Sequence, residues 1–182
     1  MSRLPGLPYE AMDAEQRRVH DAIVSGPRGR VAALFMPWLR SPGLADPAQQ
    51  LGAYVRLGSI LPKHLTEIAI LVTARHWNCA EEWAHHATFA RDAGVSDDAI
   101  EAIRQRQTPH LDDDTAAMVH AFAGELVQTG TTGDETYASA FAALGEKGVV
   151  ELVALIGYYS LVAFTLNAFA IEPGPAAPVL DP

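Results

Sequence analysis

The chain has 182 residues, 49% hydrophobic and 19% charged, and sets 13 Lys+Arg against 22 Asp+Glu for a net charge of −9. That length suits one domain with a real core, and an acidic balance with no basic cluster argues against nucleic acid and anionic membranes as partners. The single cysteine, Cys79, excludes an intramolecular disulfide and an all-cysteine zinc site and suits a reducing compartment. With no apolar signal core in "MSRLPGLPYEAMDAEQ", the expected location is the cytoplasm.

Asp13 followed by Gln16 is a capping-box arrangement, and it predicts a helix over 13–24 that ends near Ser25 and Gly26. "SGPRGR" then reads as a loop, and "LFMPWLRSPGLADPAQQ" as irregular until Asp46 caps a helix that Pro47 starts and that runs to about Gly58. Pro62 starts the next, in which Leu65, Ile68, Ala69, Leu71 and Val72 recur at helical spacing until Asn78 interrupts. Asn78, with Glu81 three residues on, reads as the cap of a helix reaching Ala93, closed by Gly94.

Ser96 caps a short helix to about Arg104, and Asp112 one that ends at Gly130. Asp134 opens another that closes at Gly145. The last and most apolar helix covers 147–170; its stretch "LVALIGYYSLVAFTLNAFA" is about long enough to cross a bilayer. Tyr158, Tyr159, Ser160, Thr165 and Asn167 interrupt it and no Lys/Arg-rich flank orients it, so it reads as a buried or subunit-facing helix rather than a membrane span. Strand alternation is absent. The expected class is all-α, a bundle of seven or eight helices, with an N-terminal extension over 1–45, the main helical domain over 46–170 and a disordered tail over 171–182.

The segment "HWNCAEEWAHH", residues 76–86, concentrates reactive side chains. With a helix starting at Asn78, Cys79 falls in the first turn, where free N–H groups favour a thiolate; it reads equally as a buried small hydrophobe. Glu82, Trp83 and His86 share its stripe, while Glu81 and His85 point elsewhere. Glu67 lies beside the apolar run of the preceding helix, and if buried it needs a donor, for which His86, His85 or Cys79 are the neighbours across a tight turn. A Glu–His pair of that kind is a general acid/base unit. A metal site would draw on His76, Glu82, His85 and His86 with Glu67 or His64, but no HExxH is present and adjacent histidines diverge by about 100°, so no metal is expected.

Residues 67–103, "EIAILVTARHWNCAEEWAHHATFARDAGVSDDAIEAI", resemble the core of the carboxymuconolactone decarboxylase and alkylhydroperoxidase-D-like superfamily. The likeness continues more weakly into "EKGVVELVALIGYYSLVAFTLNAF". The hydroperoxidase branch carries a CxxC followed by His, with an upstream Glu relaying protons. Glu67 matches that Glu, Cys79 the first cysteine and His86 the histidine, whereas Glu82 stands where the resolving cysteine belongs. The decarboxylase branch resembles this chain in Glu and His alone.

The resemblance implies a small helical bundle that assembles into a homo-trimer or homo-hexamer, needs no cofactor and acts on a small, anionic substrate. The first functional expectation is a cofactor-free lyase removing CO₂ from a carboxylated lactone or ring acid, with Glu67, Cys79, Glu82 and His86 as candidate catalytic residues. Arg75, Trp83 and His85 are the candidate substrate contacts. The second is a single-cysteine, peroxiredoxin-like thiol peroxidase using Cys79, and the third a non-enzymatic ligand-binding oligomer. Whether Glu82 and His86 face a cavity or bulk water separates the third from the others.

Overall fold

The structure is a computed structural model that describes residues 2–174, 177, 178 and 180. Among the described residues there are eight α-helices and no strand. α1 (Ala14–Ser25) begins with the capping box: the Asp13 carboxylate accepts from the Gln16 amide, and the Gln16 side chain accepts from the Asp13 amide. After the loop comes a single turn, α2 (Phe35–Trp38), and then α3 (Pro42–Ala53). The stretch expected to be irregular is therefore helical from Pro42, and Pro47 sits inside the helix instead of opening it. Pro47 leaves the Gly43 carbonyl without its helical donor, which is tolerable because Gly43 is exposed to water. Asp46 does not cap; its carboxylate ties α3 to α1 by accepting from Arg18, and also accepts from Gln50.

α3 passes into a π-helical turn, Tyr54–Gly58. α4 (Lys63–His76) follows, packed against α5 (Ala80–Asp92), α7 (Asp114–Thr129) and α8 (Asp134–Ala168). With neighbours on several sides, every residue from Leu65 to Arg75 is buried, polar ones included. α6 (Asp97–Arg104) is capped by Ser96, whose hydroxyl accepts from the Ala99 amide. Asp113, one position beyond the expected Asp112, caps α7 through the Thr115 amide, and Gly130 closes it at φ 77°. Gly145 adopts φ 68° and ψ 175° and breaks α8 at the predicted point; that left-handed φ suits a residue without a Cβ.

Beyond this break α8 is long and apolar enough to cross a membrane, yet 61% of its most apolar window is buried inside the protein's own fold. Its outer side still carries Val150, Val153, Leu161 and Phe164 exposed. The segment expected to be a disordered tail lies partly outside the described residues. Of the described part, the Gly174 amide donates to Glu81 and Leu180 packs against the core.

Candidate functional site

α4 and α5 are joined by a tight turn in which Asn78 takes a left-handed conformation, φ 50°. Asn78 does not cap α5. Its side-chain oxygen accepts from Arg75 and Arg106, so the helix starts one residue later, with Cys79 at the N-cap. Glu81 makes no capping box either; it faces His85 and the Gly174 amide. The turn lays α5 back along α4 and brings Glu67 against His86.

The result is a buried row of three groups. His86 Nδ1 donates to Glu67 Oε2 at 2.6 Å, and Nε2 is ion-paired with Glu82 Oε2 at 3.2 Å. Glu67 is 3% exposed, Glu82 6% and His86 4%, so water screens this charge interaction little. Burial alone pushes the imidazole pKa down, but the hydrogen bonds and charges of Glu67 and Glu82 more than reverse it and raise the value to about 9. His86 is therefore an imidazolium at neutral pH. The Tyr159 ring meets the imidazole edge-on, with centroids 4.9 Å apart.

Glu82 and His86 face a cavity of about 250 Å³, which Glu67 backs without lining it. Helical geometry explains the selection: at 100° per residue, Glu82 lies on one edge of the stripe set by Cys79 and His86, and Trp83 on the other. The cavity opens on the Glu82 edge, and exposed His85, next around the helix, also lines it. Trp83, 2% exposed, belongs to the core. Arg75 is also removed from this cavity: it is buried, donates to the Arg104 carbonyl and Asn78, and borders a separate cleft between α4 and α7. Among the described residues no group of three or more His, Cys, Asp or Glu is placed to hold a metal ion.

Cys79 is 1% exposed and does not line the cavity. Burial pushes its thiol pKa up to about 12; the Glu81 and Glu82 amides at the start of α5 oppose this, while the carboxylates of the same two residues add to it. The helix-start effect invoked for a reactive thiolate is real but smaller than desolvation. Alkylation of the native protein by iodoacetamide at pH 7.5, followed by mass spectrometry, is expected to be slower than that of free cysteine by about 10³-fold or more. A rate within about tenfold of the free thiol would contradict the buried placement.

The cations around the cavity are Arg28, Arg30 and Arg56, none singled out above. Arg28 and Arg30 come from the "SGPRGR" loop, and Arg56 from the π-helical turn. A turn of this type often marks a functional position. Here the buried carboxylate of Glu151 on α8 brackets the turn, accepting from Tyr54 Oη at 2.5 Å, Ser59 Oγ at 2.6 Å and the Ile60 amide at 2.8 Å. Burial pushes the Glu151 carboxyl up, but these three donors and Lys147 outweigh it and bring the pKa to about 2. The Arg56 guanidinium stacks over Phe89, 4.6 Å from the ring centroid, and Phe89 in turn meets His86 edge-on. The signal in the sequence was arginines in a Gly/Pro loop of an otherwise acidic chain.

Residues 42–124 match the family model "Carboxymuconolactone decarboxylase family". No curated protein matches the chain. Among solved structures, the chain is similar to an "alkylhydroperoxidase AhpD core: uncharacterized peroxidase-related protein" from Ralstonia eutropha JMP134, at 13% identity and a TM-score of 0.78, over 96% of this chain and 93% of that one. It is also similar to the debrominase Bmp8 in its apo form, at 15% identity and a TM-score of 0.74, over 94% of this chain and 91% of that one. A cysteine-to-alanine variant of Bmp8 in complex with 2,3,4-tribromopyrrole matches at 14% identity and a TM-score of 0.76, over 97% of this chain and 95% of that one. With a family-model match from α3 into α7 and a shared fold over nearly its whole length, the chain is similar to the carboxymuconolactone decarboxylase family and has the alkylhydroperoxidase-D-like helical fold.

Proposed function

We propose that this protein is a cofactor-free acid/base lyase that removes CO₂ from a small carboxylated lactone or ring acid. The observation that carries the reading is the Glu67–His86–Glu82 row, which ends in a cavity ringed by three arginines. Glu67 fixes the ring from behind, His86 stores the proton, and Glu82 is the carboxylate that meets the bound molecule. In the reaction the C–C bond to the departing carboxylate breaks and its electron pair stays on the ring carbon, delocalised towards the lactone carbonyl. His86 passes its proton to that carbon through Glu82 and is reprotonated from solvent. One carboxylate anion and one proton enter; CO₂ and the protonated ring leave. The arginines hold the anionic substrate by its charge in ground and transition state alike.

Two further observations support this assignment over the alternatives. Glu82 and His86 face a cavity rather than bulk water, which favours chemistry over a purely scaffolding role. The thiol that a peroxidase needs is buried, outside the cavity and held protonated. A structural neighbour is described in complex with a small ring, 2,3,4-tribromopyrrole, the size class proposed here. The test is turnover of a panel of carboxylated lactones, followed by CO₂ release. Glu82→Gln is expected to lower kcat by about 10²-fold or more, with Cys79→Ser close to the parent protein. Loss of activity in Cys79→Ser with Glu82→Gln unaffected would overturn the assignment.

A further inference from the structure

The only buried side-chain nitrogen or oxygen without a hydrogen-bond partner, among the described residues, is Arg28 Nε. Buried donors are nearly always satisfied, and leaving one open costs free energy. The same guanidinium has Nη2 3.5 Å from Tyr158 Oη, at the outer limit of a hydrogen bond. Its flat face lies over Phe35, 5.0 Å from the ring centroid, which holds its plane. Nε and Nη2 form one edge of the guanidinium, and such an edge presents two parallel N–H groups that match the two oxygens of a carboxylate. That edge is unsatisfied at one nitrogen and weakly engaged at the other.

Charge points the same way. Arg18, Arg91 and Arg104 pair with carboxylates elsewhere on the molecule, whereas among the described residues no ion pair forms at Arg28. Tyr158 lines the cavity beside Arg28. Burial pushes its hydroxyl up to about 12, with the Arg28 charge opposing, so it stays protonated and able to donate. Gly52 on α3 makes the arrangement possible: a Cβ there would overlap both Tyr158 Oη and Arg28 Nη2. Glycine inside a helix is conformationally costly, and at this position its bareness is what lets the two groups meet.

We propose that Arg28 and Tyr158 form the carboxylate-binding subsite of the cavity, with Gly52 as the bare position that admits them. The long contact to Tyr158 gives way as the Nε–Nη2 edge turns to the incoming carboxylate, and the Tyr158 hydroxyl then donates to one of its oxygens. The ligand class is a planar carboxylate on a small ring. In its turnover half this rests on the acid/base reading given above; the binding half does not.

Isothermal titration of the full chain with phthalate, an unreactive dicarboxylate on a small ring, tests it. The parent protein binds phthalate, and Arg28→Gln weakens binding by about tenfold or more because the fork and its charge are both lost. Arg28→Lys, which keeps the charge without the fork, weakens it by at least about threefold, and this variant serves if the glutamine variant does not fold. Arg91→Gln, at a surface ion pair, leaves binding unchanged. Phthalate binding by both Arg28 variants within about twofold of the parent, or no binding by the parent at about 10 mM, overturns the subsite. Where a lactone acid is turned over, Arg28→Gln raises KM by about tenfold and leaves kcat within about threefold. Phthalate binding through Arg28 without turnover of any lactone acid sinks the lyase reading and keeps the subsite; His86-dependent turnover with KM indifferent to Arg28 does the reverse.

Discussion

His86→Ala is expected to cost about 3–5 kcal/mol of stability, since it leaves buried carboxylates without the cation between them. Glu67 and Glu82 meet the imidazolium from its two nitrogens, at 2.6 and 3.2 Å. Without it, two like charges face each other across the space the ring vacates, in surroundings that screen them poorly. On the lyase reading, turnover falls together with stability, by about 10²–10⁴-fold. His86→Gln separates the two effects, because the amide keeps donors for one carboxylate but stores no proton. Its urea midpoint should lie between those of the parent and the alanine variant, with turnover as low as in alanine. An alanine variant as stable as the parent would show that the carboxylates are not jointly buried around the ring.

The same row predicts an unusual loss of stability on the alkaline side of neutrality. His86 has a pKa of about 9 in the fold against about 6.5 for a free imidazole. A raised pKa means that the folded state holds the proton more tightly. The stabilisation is therefore complete below about pH 6.5, declines between, and is gone as pH rises through about 9. A shift of that size corresponds to on the order of 3 kcal/mol. His76 and His120 are shifted the other way: burial lowers both, with the Arg106 charge adding at His76. Their effect appears as acid-side destabilisation, below the window. Cys79 and Tyr158, raised to about 12, act above it. Urea unfolding at pH 6.5, 7.5 and 9 should thus show a falling midpoint in the parent and a much flatter line in His86→Gln. Equal slopes in both proteins would mean that the imidazole is not held charged by its neighbours.

Much of the architecture was written locally. The capping box at Asp13, the Ser96 cap, Gly130 at a helix end and Gly145 at the break in α8 are short-range devices, each satisfied by atoms within a few residues. That is why they could be read from neighbouring letters and why the all-α bundle followed from them. Local reading went astray where a local rule lost to its surroundings. Pro47 could open a helix by its own chemistry, but Pro42 already does so a turn earlier. Asn78 could cap α5, but two arginines claim its oxygen.

Spacing alone placed Glu82, Trp83 and His86 on one stripe and put Glu67 within reach of His86 across the turn. It carried no information on which edge of that stripe would face the core. The cavity lies on the Glu82 edge because the 26–34 loop and the π-helical turn, held by Glu151, close over that side, while the rest of the bundle buries Trp83 and Cys79. For the same reason Cys79, where a helix start favours a thiolate, is held as a thiol: desolvation is a property of the whole assembly of helices and outweighs two backbone amides. Arg75 stood near the site in sequence and is buried elsewhere, whereas Arg28, about fifty residues away, lines the cavity. The Asp13 and Ser96 caps and the helix periodicity are short-range interactions, and the sequence by itself determined them; it left His86, His85 and Cys79 open as partners for Glu67. The choice of face, the burial of the thiol and the supply of cations are long-range packing, and only the tertiary structure decided those.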